Sequence, residues 1–482
     1  MFNLPFFLGL FPLVVLVVLI INVKMPVYKA VLITLALVLG ITYFAFDTPA
    51  SDLANAVGYG ILKGLWPIVI VIFGAIFAYN LMQKTGGFST AVAIPLGILM
   101  ALGFDPIRAA VVALVSDTAA TVFGAVGIPV TVMGDMLHLP VVGFDGMSFL
   151  VVCQLGILNI IIPFLLIVIM EGSIKALKGV FMVTLITGVI TLIPELIIAA
   201  FVGPELTAFG GALAALATML VLFKARKTPT PEEYRIKMDH TSEAASGGEV
   251  FRAVSIYALM FIFILVCSPL FPSVGASLNH ISTTFAFPVG EKTLKATFNW
   301  ITTPGMLIIF ATLIGGVLFQ RAKPGMIIST VVSTLNQLKT SAIAISVIVA
   351  MATVMDFTGL IAVVAQPLFD ATGKFSPYFA PLIGAVGTFV TGSVTNANVL
   401  FGNLQTIAAN HLQLDPTWLV AANAAGATAT KMLAPQSITI AVSSAGLANA
   451  DSALMKGTAP WAALYLVVLV VIVGASSAFF VA

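Results

Sequence analysis

Apolar stretches of about 17–25 residues, each long enough to cross a bilayer, recur along the whole chain. They constrain its fold more than any other feature. Clear ones cover 5–23, 28–46, 56–81, 148–170, 179–201, 207–223, 253–271, 300–320 and 459–481. Of the 482 residues 60% are hydrophobic and 8% charged, whereas soluble domains carry roughly a quarter charged residues. The expected solvent is therefore lipid. The expected fold is all-α, a single polytopic transmembrane domain of about twelve helices. The first stretch has no Lys or Arg before it and no small-residue cleavage site after it, so it reads as a membrane helix rather than a signal peptide.

Charge placement gives an orientation, because Lys and Arg concentrate in cytoplasmic loops. Lys24, Lys29, Lys175, Lys178, Arg321 and Lys323 flank spans, and the longest polar segment, 224–252, holds Lys224, Arg226, Lys227, Arg235, Lys237 and Arg252. Loops 47–55, 202–206 and 272–299 are acidic or weakly charged. An N-terminus outside the cell puts every basic loop inside and makes 224–252 a cytoplasmic linker. The net charge of +2 is scattered, which leaves no nucleic-acid surface. Cys153 and Cys267 lie in apolar runs, and His138, His240, His280 and His411 are far apart. That pattern offers neither a disulfide framework nor a metal site, and with no activated nucleophile it speaks against a membrane-embedded enzyme.

The chain resembles itself. Residues 104–134 align without gaps to 414–444, matching Asp105 with Asp415, Pro106 with Pro416, Thr118 with Thr428 and Ala119 with Ala429. Upstream, "MQKTGGF" at 82–88 resembles "MDFTGLI" at 355–361. Opposite starting sides for these segments make the halves inverted repeats, an architecture of secondary transporters. The first repeat with its linked helices takes 1–223, and the second takes 253–482. The two alignments are offset by 310 and 273 positions, so the first half lacks 37 residues that the second contains.

Polar residues interrupt three apolar segments, and irregular backbone at membrane depth is tolerated only where it is buried in protein or lines a cavity. Segment 116–129 brings Ser116, Asp117, Thr118 and Thr121 beside Gly124, Gly127 and Pro129. Segment 391–405 carries Thr391, Ser393, Thr395, Asn396, Asn398, Asn403 and Gln405, and segment 423–437 carries Asn423, Thr428, Thr430, Lys431, Gln436 and Ser437. A carboxylate needs a cation or helix N-termini with hydroxyl and amide donors around it, and these segments supply them. Lys431 is the expected counter-ion. Ser393, Thr395, Asn396, Asn398, Asn423, Gln436, Ser437, Thr118 and Thr121 are the expected polar contacts. Asp117 is the expected proton carrier, since a charge in hydrocarbon costs at least about 2.5–3.5 kcal/mol and protonation removes it. A structural Asp117–Lys431 ion pair is the plainer alternative, and many of the Asn, Ser and Thr residues could simply join helices. Trp66-Pro67 reads as a kink and packing anchor, Asp105, Arg108 and Asp415 as helix caps, and Asp356, Gln366 and Asp370 as solvated groups near a helix end.

Four motifs, "GLWPIVIVIFGAIFAYNLMQKTG" (64–86), "FGAVGIPV" (123–130), "TGSVTNANVLFGNLQ" (391–405) and "VAANAAGATATKMLAPQSITIA" (420–441), resemble the bacterial L-lactate permease family. The resemblance implies symport of lactate, glycolate and related 2-hydroxy-monocarboxylates with protons, an elevator-type inverted-repeat fold and a place in the bacterial cytoplasmic membrane. No cofactor is implied beyond the coupling ion, H+ with Na+ as the alternative. The partners implied are the monocarboxylate and the lipid bilayer, with a homo-oligomer left open. Members of the family usually carry "FLEGAAGFGTP" after the "KTG" motif, whereas here "QKTGGF" runs straight into "STAVAIPLG". Val394 stands where the family motif tends to have Asp, and Asp117 where it tends to have Asn. A sodium-coupled carrier of another organic anion such as a dicarboxylate, and a non-transporting relative, are the competing readings.

Overall fold

The computed structural model describes residues 3–85, 96, 98–100, 102–225, 247–445, 447 and 450–480. The "GGFSTAVAIP" stretch at 86–95 and most of the basic linker, 226–246, lie outside the described residues. The membrane body is helical. In chain order come α1 (Leu4–Ile21), α2 (Val27–Ala45), α3 (Ala50–Lys63), α4 (Ile70–Lys84), α5 (Pro106–Ser116), α6 (Gly124–Leu137), α7 (Met147–Glu171), α8 (Phe181–Phe201), α9 (Pro204–Ala225), α10 (Gly247–Val266) and α11 (Pro272–Asn279). The strands β1 (Ser282–Val289) and β2 (Lys292–Asn299) follow, then α12 (Pro304–Leu318), α13 (Pro324–Phe357), α14 (Leu360–Thr372), α15 (Ser376–Thr391), α16 (Val394–Leu412), α17 (Pro416–Ala429), α18 (Pro435–Ser444) and α19 (Asp451–Ser476). Among the described residues seven helices are long and apolar enough to cross a membrane, and five shorter apolar ones accompany them.

The segment 272–299, read from sequence as a loop, instead forms α11 and a β-hairpin. Its strands pair antiparallel from Ser282 opposite Asn299 to Val289 opposite Lys292. Val289 and Ala296 are fully buried, and Phe298 stacks on Trp66 at 5.2 Å between ring centroids. The Asn55 side-chain amide donates to the Pro288 carbonyl at 2.7 Å, which fastens the ribbon to α3. Trp66, whose indole N–H donates to Thr303 Oγ1 at 3.1 Å, anchors the turn at Gly64–Val69 that joins α3 to α4.

The long helices that end at the two matching Thr-Gly motifs, α3–α4 and α13, pack side by side and antiparallel. Gly60 lies against Ala350, and Gly64 against Ser346. Further along, Asn80 Nδ2 donates to Thr334 Oγ1 at 2.9 Å and Lys84 Nζ to Ser329 Oγ at 3.5 Å. Rising numbers on α3–α4 thus meet falling numbers on α13, as inverted repeats require. At Gly60 an added Cβ would sit 2.4 Å from the Ala350 Cα, so only glycine lets the backbones approach this closely.

The repeats match in a second element. Asp105 caps α5 by accepting from the Arg108 N–H at 2.9 Å, and Asp415 caps α17 by accepting from the Thr417 N–H at 2.7 Å. An Asp-Pro pair satisfies an orphan amide and presets the first turn. Both helices stop at mid-course in one tight turn, at 120–123 and at 431–433, then resume as α6 and α18. The offset of 310 residues found in sequence superimposes these breaks. Between α4 and α5 lie residues 85–105, whereas between α13 and α17 lie residues 358–415, which form α14, α15 and α16. The 37 residues by which the first repeat is shorter therefore correspond to part of this set.

Candidate functional site

The site forms where the second repeat's hairpin and both breaks come together. α15 and α16 join through Thr391, Gly392 and Ser393, with Gly392 at φ +70°. Thr391 Oγ1 donates to the Gly387 carbonyl at 2.8 Å, and the Ser393 side chain caps α16 by accepting from the Asn396 N–H at 3.3 Å. The break after α17 lies against this tip. Lys431 Nζ donates to the Gly392 carbonyl at 2.8 Å, Thr430 Oγ1 donates to the Ala385 carbonyl at 2.5 Å, and Gln436 lies beside Gly392 with Nε2 3.5 Å from the Thr391 carbonyl. Two helix N-termini, of α16 and α18, thus flank one ammonium group. Such ends carry free N–H groups and partial positive charge.

The first repeat's break faces them. Its turn at 120–123 lies against α16 and α17, and the turn at 431–433 lies against α5 and α15. Asp117 closes α5, with the Thr121 hydroxyl 2.5 Å from its carbonyl oxygen and 3.2 Å from Oδ2. Asp117 and Lys431 act on each other electrostatically, yet no ion pair joins them. Among the described residues the one ion pair within 4.0 Å is His411–Asp370, at 2.8 Å. The charges are close enough to influence one another and remain separately available.

The polar residues singled out in sequence divide by partner. Asn398 Nδ2 donates to the Pro129 carbonyl at 2.9 Å, Asn423 Nδ2 donates to Asn398 Oδ1 at 3.2 Å, and Gln405 Nε2 lies 3.5 Å from Asn423 Oδ1. This chain of amides is almost fully buried and ties α16 and α17 to the first repeat's broken helix. Thr118 is fully buried and donates to the Leu114 carbonyl of its own helix at 3.1 Å. Asn398, Asn423 and Thr118, expected to touch substrate, thus have protein partners for the groups named: the two asparagines across elements and Thr118 within its own helix. Thr395, Asn396 and Ser437 differ. They are 8%, 6% and 8% exposed, and among the described residues nothing hydrogen-bonds their side chains.

Some of the surroundings escaped sequence reasoning. Tyr465, 2% exposed, places its hydroxyl 2.9 Å from Thr428 Oγ1, just before the second break. Glu195, inside α8, accepts from Asn159 Nδ2 at 2.6 Å; an acid following a proline within an apolar run was the available signal. Val394, where the family motif tends to have Asp, is buried at the start of α16 with Ala397 and Ala427.

The chain matches the L-lactate permease family over residues 5–90 and 81–480. It is 35% identical to an L-lactate permease of Streptococcus iniae over 75% of this chain and 82% of the relative. It is 30% identical to the Escherichia coli K12 L-lactate permease over 94% of this chain and 92% of that one, and 28% identical to the glycolate permease GlcA of the same strain over 96% and 94%. The alignment to the Escherichia coli L-lactate permease runs to 517 positions, more than the 482 residues present here, so that relative carries sequence this chain lacks. The two family matches meet at 81–90, beside the shortened connection between α4 and α5. The chain is a multi-pass membrane protein, and it belongs to the L-lactate permease family.

Proposed function

We propose that this protein carries L-lactate and related 2-hydroxy-monocarboxylates such as glycolate across the bacterial cytoplasmic membrane, driven by protons. The observation that carries this reading is a set of largely buried residues whose donors have no protein partner among the described residues, near a single ammonium. Thr395 and Asn396 lie in the first turn of α16 and Ser437 in the first turn of α18, and Lys431 reaches the turn before α16 through the Gly392 carbonyl. A small hydroxy acid offers a carboxylate to the cation and the N–H groups, and a hydroxyl to the side chains.

Lys431 also suggests how binding moves the protein. Its ammonium holds the hairpin tip through the Gly392 carbonyl. A substrate carboxylate competes for the same ammonium and so loosens or re-seats the tip, which couples occupancy to the position of α15–α16. Ser393 keeps α16 capped, while Gln436 bridges tip and break. Asp117, held by Thr121, takes the coupling proton, because protonating a carboxylate beside Lys431 changes the charge that a bound anion meets. In this reading the basic loops face the cytoplasm, the N-terminus lies outside, and the broken-helix domain moves as in an elevator-type carrier.

The test is uptake of labelled L-lactate into proteoliposomes under an inward proton gradient and, separately, a sodium gradient. Accumulation that follows protons and is collapsed by a protonophore is the expected result. Accumulation that follows sodium contradicts proton coupling, and no lactate movement under either gradient contradicts the substrate.

A further inference from the structure

A cavity of about 600 Å³ opens beneath the β-hairpin, apart from the Lys431 site. This is a size typical of small-molecule pockets. Its walls come from elements distant in sequence: α3 gives Lys63, the ribbon gives Lys292, and the end of α13 with α16 gives Asp356 and Asn403. Its floor includes Asn398, whose amide holds the Pro129 carbonyl at the first repeat's break. The cavity therefore reaches from the hairpin face of the protein to the seam between the repeats.

The chemistry of these walls is mixed. Asp135 acts on Lys63 and Asp356 on Lys292 through space, but neither lysine is within 4.0 Å of a carboxylate among the described residues. Both ammonium groups thus keep free donors. Asp356 accepts from the Asn403 amide and retains lone pairs for another donor. Glu291 and His138 also line it. A simple anion meets repulsion from Glu291 and Asp356. A molecule joining a carboxylate to a hydroxyl meets cations for the one and an acceptor for the other.

We propose that this cavity is a second, receiving subsite for 2-hydroxy-carboxylates, with Lys63 and Lys292 taking the carboxylate and Asp356, oriented by Asn403, accepting the hydroxyl proton. The ligand class rests on the transport reading above, but the subsite is occupied whether or not the Lys431 site works. Substrate collects here before the hairpin region admits it to the seam.

The test places a reporter in the cavity wall and reads ligand protection. Leu294 lines the cavity and takes no part in the proposed contacts. In the full chain with Cys153→Ala and Cys267→Ala, Leu294→Cys is labelled with a membrane-impermeant thiol reagent. L-lactate is expected to slow labelling about three-fold or more, and propionate, which lacks the hydroxyl, to slow it less. Protection is expected to persist in Lys431→Ala and to vanish in the Lys63→Gln, Lys292→Gln double variant. Labelling indifferent to L-lactate overturns the proposal. So does protection that disappears with Lys431→Ala yet survives loss of both cavity lysines, since that assigns the effect to the deeper site. A failure of lactate transport, in contrast, shows in the gradient experiment and leaves protection in Lys431→Ala intact.

Discussion

At the scale of single residues, neighbouring asparagines of the same motif do different work. Asn398 is tied to Pro129 and Asn423, whereas the Asn396 side chain has no partner among the described residues. Removing one member of a buried pair leaves the other unsatisfied, at a cost of about 1–3 kcal/mol. Asn398→Ala is therefore expected to lower the thermal unfolding midpoint of the detergent-solubilised protein by several degrees. Asn396→Ala is expected to leave that midpoint within about a degree, since it breaks no side-chain hydrogen bond among the described residues, and to raise the KM for L-lactate at least five-fold. Equal midpoints for the two variants contradict this division of labour. The sequence already exposed both asparagines, together with Lys431 and Asp117, because polar groups stand out in apolar runs. It could not separate framework from binding residues. The partner of Asn398 is a backbone carbonyl 269 positions away, and no local pattern reports such a distance.

At the scale of elements, the hairpin tip and the two breaks form the working unit. Gly392 adopts φ +70°, and a Cβ there would lie 2.5 Å from the Gln436 amide. Gly392→Ala therefore strains the turn and displaces the Gln436 side chain from the tip. Lactate uptake is expected to fall at least ten-fold with membrane levels of the protein preserved. Gly325→Ala, at the start of α13 where nothing lies within 4 Å of the new atom, is expected to transport normally. Equal activity of the two variants counts against the tip as a moving part. The breaks themselves were legible, because the Asp-Pro caps and the matching Thr118 and Thr428 set the register between halves. The β-hairpin was not. A search for long apolar runs passes over two eight-residue strands, although Phe285, Phe287 and Val289 alternate with smaller or polar neighbours as a strand should.

At the scale of the whole molecule, the shortened connection after α4 sets this chain apart from the inverted symmetry it otherwise follows. The missing stretch was readable as a difference of offsets, and the fold shows its counterpart as helices of the α14–α16 set. The α15–α16 hairpin of the second repeat is then the element on which the breaks of both repeats converge. Proton and substrate should meet at this single junction, Asp117 from one repeat and Lys431 from the other. The most direct measurement is L-lactate movement by wild type, Asp117→Asn and Lys431→Ala in matched proteoliposomes, comparing gradient-driven accumulation with counterflow exchange. Wild type is expected to do both, Asp117→Asn to exchange without accumulating, and Lys431→Ala to lose both by at least ten-fold. Accumulation by Asp117→Asn at the wild-type level, or exchange by Lys431→Ala with unchanged KM, contradicts a coupled site built on these two residues.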